Sequence, residues 1–231
     1  MRIAIIPARG GSKRIPKKNI KQFFGKPMLA WSIEAAIKSK CFDRIICSTD
    51  DEKIANIAQE YGAEIPFMRP KYLSDNHTGT VPVISHAIEQ LQRNGDKIDL
   101  ACCVYATAPF IKPIDLQNSL KEMQNNDLDF CFSVTSYPFP IQRSIRLTSN
   151  KRCMMLQPEM FQKRSQDLEE LYHDAGQFYW GTPKSWLEGR LLFSKNTMPY
   201  ILPRHRVQDI DTMEDWKRAE LMFKASQDEL F

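Results

Sequence analysis

The sequence predicts an α/β fold built on a doubly wound, mostly parallel sheet, and three observations carry that expectation. Short apolar runs recur at residues 2–8, 44–49, 100–108 and 129–135. Each is followed by a segment whose apolar residues repeat at helical spacing or by a glycine- and proline-marked loop. The two kinds of segment alternate along the chain, as they do where helices cover both faces of a parallel sheet.

Taken in order, residues 2–8 suit a buried strand that ends in a glycine-containing loop. Pro27 opens PMLAWSIEAAIKSK, where Leu29, Ile33, Ala36 and Ile37 share one helical face; proline is favoured at a first helical position. A strand at 44–49 and a helix at 51–62 follow, with acids in the helix's first turn and Gly62 at its end. Residues 63–69 read as a further strand. A polar loop through Asp75 to Gly79 then leads to a helix near 81–94 carrying Val83, Ile84, Ala87, Ile88 and Leu91. The run 100–108, a helix at 113–126 and a strand at 129–135 continue the alternation. Strands are predicted again at 176–182 and 199–203, before a closing helix from about 213. Thr212 and Asp215 have capping-box spacing, which sets Asp209 and Asp211 just before that helix.

The alternation breaks between about 136 and 170, and this stretch reads as a protruding arm inserted in a single domain, 1–231. Its Ile145, Leu147, Met154, Met155 and Leu156 have no place in the main core. They are expected to be covered by a second copy, making the arm a dimerisation device and the protein a homodimer.

A hydrophobic fraction of 42% and a charged fraction of 26% suit an ordinary folded domain. The net charge of +4 is mild, and the one basic cluster, Lys13 to Lys21, has no interleaved aromatics to stack bases. Nucleic acid is therefore not an expected partner, whereas a small polyanion is. The apolar run before Pro7 is too short for a secretory signal or a membrane span, so a cytoplasmic protein with no membrane association is expected. The six cysteines lack CxxC spacing and read as reduced core or near-core residues.

The segment PARGGSKRIPKKN follows the first strand, where an open α/β sheet presents its ligand crevice. Gly10 and Gly11 let backbone N–H groups approach a phosphate and can adopt positive φ. Arg9, Lys13 and Lys18 add charged donors and Ser12 a hydroxyl. Neither GxxxxGK[ST] nor GxGxxG is present, so the loop is not one of the two better-known phosphate signatures.

IPARGGSKRIPKKNI followed by FGKPMLAWSIEAA is similar to the CMP-sialic acid synthetase family of sugar cytidylyltransferases, and the resemblance extends over nearly the entire chain. ICSTDDEKIANIAQEYGAEIPFMRP matches the family's second βα unit, and VQDIDTMEDW its metal-binding element. YATAPF, FPIQR, RSQDLEELYHDAGQFYWG and VQDIDT are most similar to the branch that acts on pseudaminic acid.

The resemblance implies a Rossmann-like nucleotidyltransferase fold and a nucleotide site made of Arg9, Gly10, Gly11, Ser12, Lys13, Lys18 and Asn19, with Arg69 and Thr80 around cytosine and ribose. It implies that Asp209 and Asp211 hold a catalytic Mg2+, and alternation along an extended segment puts residues two apart on one face. Arg9, Lys13 and Asp211 are the catalytic candidates; the identity of a general base stays open.

For the sugar, the resemblance points to Tyr105 and to Gln142, Arg143, Arg164, Gln166, Asp167, His173, Asp174 and Gln177. Arg143 and Arg164 are the guanidinium candidates for a sugar carboxylate. Where the sialic acid branch has QPTSP this chain has YATAP, with Tyr105 for Gln and Ala108 for Ser, so a nonulosonate meeting a less polar wall is expected. The implied reaction is attack of the anomeric hydroxyl of an acidic nine-carbon sugar on the α-phosphorus of CTP, releasing pyrophosphate and making a CMP-sugar for glycan biosynthesis. The alternatives are the same reaction on N-acetylneuraminic acid, Kdo or another sugar acid, transfer to a hexose 1-phosphate, and a non-catalytic nucleotide-binding protein.

Overall fold

In a computed structural model that describes residues 1–227, the chain forms a six-stranded sheet with helices on both faces. The first strand, β1 (Arg2–Pro7), leads through the basic loop into a two-residue hairpin, β2 (Gln22–Phe23) and β3 (Lys26–Pro27), and then α1 (Met28–Ser39). Next come β4 (Arg44–Ser48), α2 (Glu52–Glu60), α3 (Thr80–Arg93), β5 (Leu100–Val104), α4 (Pro113–Asn125) and β6 (Phe130–Ser136). The arm holds β7 (Ile145–Leu147) and β8 (Cys153–Met155), after which β9 (Tyr172–Gly181), α5 (Pro183–Leu187), β10 (Thr197–Ile201) and α6 (Met213–Gln227) complete the fold.

The sheet order is β10-β6-β9-β5-β1-β4. β1 pairs in parallel with β4 on one side and β5 on the other. Ile3 to Ile6 in β1 are therefore fully buried: α1, α2 and α4 supply Leu29, Ile33, Ile54, Leu116 and Leu120 to one face. Ile84, Ile88 and Leu91 of α3 and Trp186 of α5 cover the other. This is the doubly wound arrangement read from the alternation.

The sheet departs from all-parallel at one strand. β9 runs antiparallel to both β5 and β6. Ser136, the last residue of β6, pairs with Tyr172, the first of β9, so the arm is the long connection of a β6–β9 hairpin rather than a crossover.

Four finer expectations are corrected. Residues 63–69 do not form a strand: only Glu64 bridges to Ile46, and Pro66 denies the segment an N–H group that a ladder needs. The last strand is β10 at Thr197–Ile201 instead of 199–203. Ile37 is half exposed at the edge of α1 instead of sharing its buried face. Cys153 is exposed on the arm, whereas the other five cysteines are buried.

Candidate active site

β1 feeds α1 and β4 on one side and is flanked by β5, reached later, on the other, so the strand order reverses at β1. A cleft opens there at the carboxyl ends of the parallel strands, the place such sheets offer to ligands. It is lined by Pro7, Arg9, Ser12, Lys13, Arg14 and Lys18 from the first loop, and by Arg69, Thr80, Tyr105 and Asp211 among others.

The loop needs glycine at one of its two glycines. A Cβ on Gly10 would sit 2.9 Å from the Cβ of Asp51. Asp51 cannot give way cheaply, because its Oδ1 caps α2 by accepting the Lys53 and Ile54 amides at 2.8 and 3.1 Å. The Gly10 amide itself donates to Asp50 Oδ1 at 2.9 Å. Gly11 has open space around it, and neither glycine uses a positive φ; in this loop that conformation falls at Lys17, with φ 54°.

Two of the cleft's cations, Arg9 and Arg69, have neutral or distant partners. Arg9 donates to the Asp75 carbonyl and, at 3.0 Å, to Asn76 Oδ1. Asn19 is buried and donates to the Arg9 carbonyl at 2.9 Å, so its amide props the loop from behind. Arg69 is only 5% exposed, and its Nε and Nη2 have no hydrogen-bond partner among the described residues. Its closest acid, Asp50, is 3.8 Å away. Burial lowers the Arg69 pKa, and Asp50 opposes the shift. Arg69 also lines the cleft, and a buried guanidinium beside a cleft is a candidate partner for an acceptor-rich ligand.

Asp211 reaches the same cleft from the far end of the chain. Ile15 of the basic loop and Ile210 are each 1% exposed in one cluster with Phe23, Phe110, Trp216 and Phe223. With Ile210 turned into this core, Asp209 and Asp211 on either side turn outward. Asp211 accepts an ion pair from Arg14 at 2.8 Å and from Lys18 at 3.3 Å. The Thr212–Asp215 capping box is present, with Asp215 N to Thr212 Oγ1 at 3.2 Å and Thr212 N to Asp215 Oδ2 at 2.8 Å.

Asp209 lies in an adjoining cleft with His173, Asp174 and Arg218. Its pKa is raised, first by desolvation and then by the negative charge of Asp211. Among the described residues no group of three or more His, Cys, Asp or Glu side chains is arranged to hold a metal alone. Two repelling carboxylates near the basic loop nevertheless fit Mg2+, which takes one or two carboxylates together with phosphate oxygens.

The sugar candidates are dispersed. Tyr105 lines the main cleft, and His173 and Asp174 line the adjoining one. Gln142 and Gln166 line a separate groove in the arm, where Gln142 donates to the Glu169 carbonyl at 2.9 Å. Arg143 and Arg164 are exposed; the first bonds Ser165 Oγ at 3.2 Å and the second pairs with Asp167 at 2.9 Å. Gln177 is buried and donates to the Arg206 carbonyl at 2.6 Å.

The sequence reading missed Asp50, Arg14, Asn76 and Tyr179. Asp50 carried a signal, since it stands at the carboxyl end of a predicted strand in STDD. The others owe their place to contacts across the fold.

A family model described as "Cytidylyltransferase" matches residues 3–201. The pseudaminic acid cytidylyltransferase of Campylobacter jejuni strain 81-176 is 44% identical over 229 residues, which is 99% of each chain. The CMP-N,N'-diacetyllegionaminic acid synthase of Legionella pneumophila is 31% identical over 235 residues, covering 99% of this chain and 98% of its own. Among solved structures, a CMP:2-keto-3-deoxy-manno-octonic acid synthetase complexed with CTP superposes with TM-score 0.71 at 16% identity, over 97% of this chain and 99% of that one, a likeness of fold. With its family match over most of the sequence and full-length relatives at this identity, the chain belongs to the cytidylyltransferase family.

Proposed function

We propose that this protein transfers CMP from CTP to the anomeric hydroxyl of a nonulosonic acid, with pseudaminic acid as its substrate, and releases pyrophosphate. The observation that carries the reading is the convergence of the basic loop, buried Arg69 and Asp211 on one cleft. The full-length 44% identity to a pseudaminic acid cytidylyltransferase selects the sugar.

Arg9, Lys13 and Lys18 bind the triphosphate. Arg9 is held by a carbonyl and an amide oxygen, neutral acceptors that a phosphate oxygen displaces because its hydrogen bonds are charge-assisted. Arg69, lining the same cleft, offers its guanidinium to acceptors of the nucleotide. As the anomeric oxygen attacks the α-phosphorus, charge builds on the phosphate oxygens, and fixed cations stabilise it without reorganising. Asp209 and Asp211 would hold Mg2+. When bound, the ion adds positive charge at the phosphates and lowers the pKa of an oxygen it touches.

The arm serves as the dimer contact. Phe139 is 78% exposed and Leu147 73% exposed, with Ile145, Leu156 and Phe161 exposed around them, an apolar surface that a second copy would cover. A cytoplasmic location goes with this reading, since CTP is made there. No helix among the described residues is long and apolar enough to cross a membrane.

The test is incubation of the purified protein with CTP, Mg2+ and, in turn, pseudaminic acid, N-acetylneuraminic acid, Kdo and glucose 1-phosphate, scored by CMP-sugar and pyrophosphate. Pseudaminic acid is expected to turn over fastest. CTP binding with no turnover on any acid overturns the reading.

A further inference from the structure

Residues 207–211, which carry Asp209 and Asp211, lie between β10 and α6 and belong to no strand or helix. No ladder of backbone bonds fixes them, and two like-charged carboxylates repel unless something else sets their positions. The tip of the segment is tied to the basic loop, where Lys18 Nζ donates to the Ile210 carbonyl at 2.6 Å. Its root is tied to the core at Arg206.

Arg206 grips Asp115 of α4 with both arms of its guanidinium, Nη1 to Oδ2 at 2.6 Å and Nη2 to Oδ1 at 3.1 Å. The two side chains are 11% and 3% exposed, so the pair is shielded from the water and salt that weaken surface pairs. Asp115 is itself fixed. Its Oδ2 accepts the Lys112 amide at 3.0 Å in the cap of α4, and α4 packs on α1, β6 and β9. From the sheet side, buried Gln177 of β9 donates to the Arg206 carbonyl at 2.6 Å. Arg206 is thus bound to a helix through its side chain and to a strand through its backbone, three positions before Asp209. Phe110, which lines a groove with Arg206, belongs to the same core cluster as Ile210, so the anchor continues into the contact that separates the two acids.

A buried ion pair is a poor source of stability, since desolvation of both charges offsets most of their attraction. What it supplies is geometry, because the planar guanidinium fork meets a carboxylate in one orientation. We propose that Asp115 and Arg206 are positioning residues for the metal-binding acids, and that their clamp sets where Asp209 and Asp211 stand before a metal arrives. Neither Asp115 nor Arg206 lines the nucleotide cleft, so both act through the segment that follows. The inference deepens the reading of Asp209 and Asp211 as the acids that hold Mg2+ and rests on it. Outer groups that orient metal ligands are worth about 10–100-fold in metal affinity, whereas the grip of Arg9 and Lys13 on CTP does not pass through the clamp.

The test uses the double variant Asp115→Asn/Arg206→Met, which removes both charges together. Asparagine can still accept the Lys112 amide and methionine fills much of the arginine's volume, so no buried charge is left unpaired and the melting temperature should change little. Mn2+ is titrated in the presence of CTP without sugar, so that nothing turns over, and water-proton relaxation separates Mn2+ on the protein from Mn2+ on free CTP. The half-saturating Mn2+ concentration should rise by about tenfold or more, as should the Mg2+ concentration for half-maximal CMP-sugar formation. The CTP KM at saturating Mg2+ should be unchanged. Arg206→Lys keeps the charge and loses the fork; it should show a smaller rise in the same direction, and serves if the double variant folds poorly. Asp96→Asn is the control: it breaks an ion pair with Arg44 at the amino end of β4, away from the cleft, and should leave the Mn2+ titration as in wild type. Wild-type Mn2+ half-saturation in the folded double variant overturns the inference, and so does an equal rise in Asp96→Asn, which would reduce the clamp to general stability. A wild type with no relaxation change beyond that of Mn2+ and CTP overturns the metal reading itself, and the inference with it.

Discussion

Lys18 and Asp211, 193 positions apart in the chain, meet in an ion pair of 3.3 Å where both line the cleft. Ile15 and Ile210, buried side by side in one aromatic cluster, bring their two segments together. The pair therefore sits on a core contact, and its charge is free to serve a ligand. Asp211→Asn should leave the melting temperature nearly unchanged, because part-exposed ion pairs contribute only about 0–1 kcal/mol. It should lower CMP-sugar formation by about 10²-fold or more, the scale of removing one charged group aimed at a transition state. A folded variant with wild-type turnover would remove Asp211 from the chemistry.

Gly10→Ala tests the close approach of the loop to α2. The new methyl would meet the Asp51 Cβ at 2.9 Å, and that atom moves only with the cap it supports. The variant should lose about 1–2 kcal/mol from strain and a disturbed cap, and its CTP KM should rise. Gly11→Ala, with nothing within 4 Å of the added methyl, is the control and should change stability little. Chemical denaturation of the two variants checks the contrast.

The fold was legible because periodicity is local. The alternation of apolar runs and helical spacing located β1, α1, β4, α2, α3, β5, α4 and β6, and the basic loop followed from its place after β1. The antiparallel β9 was not legible, since strand direction depends on where the arm re-enters the sheet and no residue of GQFYWGT encodes it. Of the candidate site, the nucleotide candidates Arg9, Ser12, Lys13, Lys18, Asn19, Arg69 and Thr80 line one cleft together with the metal candidate Asp211, and Gly10 and Gly11 are not in its lining. The sugar residues scatter, because Arg143, Arg164 and Gln166 belong to an arm whose packing within one chain is sparse. Tyr179 was invisible for a different reason: in sequence it is one aromatic in a buried strand, and only the fold sets its hydroxyl against Asp174.

His86 gives the stability a pH dependence. Its Nδ1 is buried with no hydrogen-bond partner among the described residues, and its ring stands edge-on to Phe67 at 5.2 Å. Desolvation is the main cause that lowers its pKa below 6.5, with Arg93 and Arg69 adding to the shift and Glu89 opposing it. As pH falls below about 6.5 the unfolded chain takes up this proton before the folded one does. Stability is therefore lost as pH falls from 6.5 through the folded-state value. Wild type should lose more melting temperature between pH 7.5 and 5.5 than His86→Phe does. An imidazole NMR titration at or above 6.5 would contradict the assignment.

Arg69→Met separates the cost of the nucleotide site from its use. The wild-type guanidinium is buried, with no hydrogen-bond partner for Nε and Nη2 among the described residues, and its lowered pKa has desolvation as the first cause. Folding thus disfavours the charged form that prevails at neutral pH, and the empty protein carries that cost. Methionine keeps much of the volume and removes the charge, while the Arg69 amide goes on donating to the Thr49 carbonyl at 2.7 Å. Without CTP the variant should melt at or above the wild-type temperature. With CTP the order should reverse, because hydrogen bonds to a charged group are worth about 1.5–3 kcal/mol and their loss weakens binding by roughly 10–100-fold. Thermal melts of both proteins across a CTP titration measure the two effects together. A variant less stable without CTP yet equally stabilised by it would make Arg69 a structural cation and leave the nucleotide without its buried anchor.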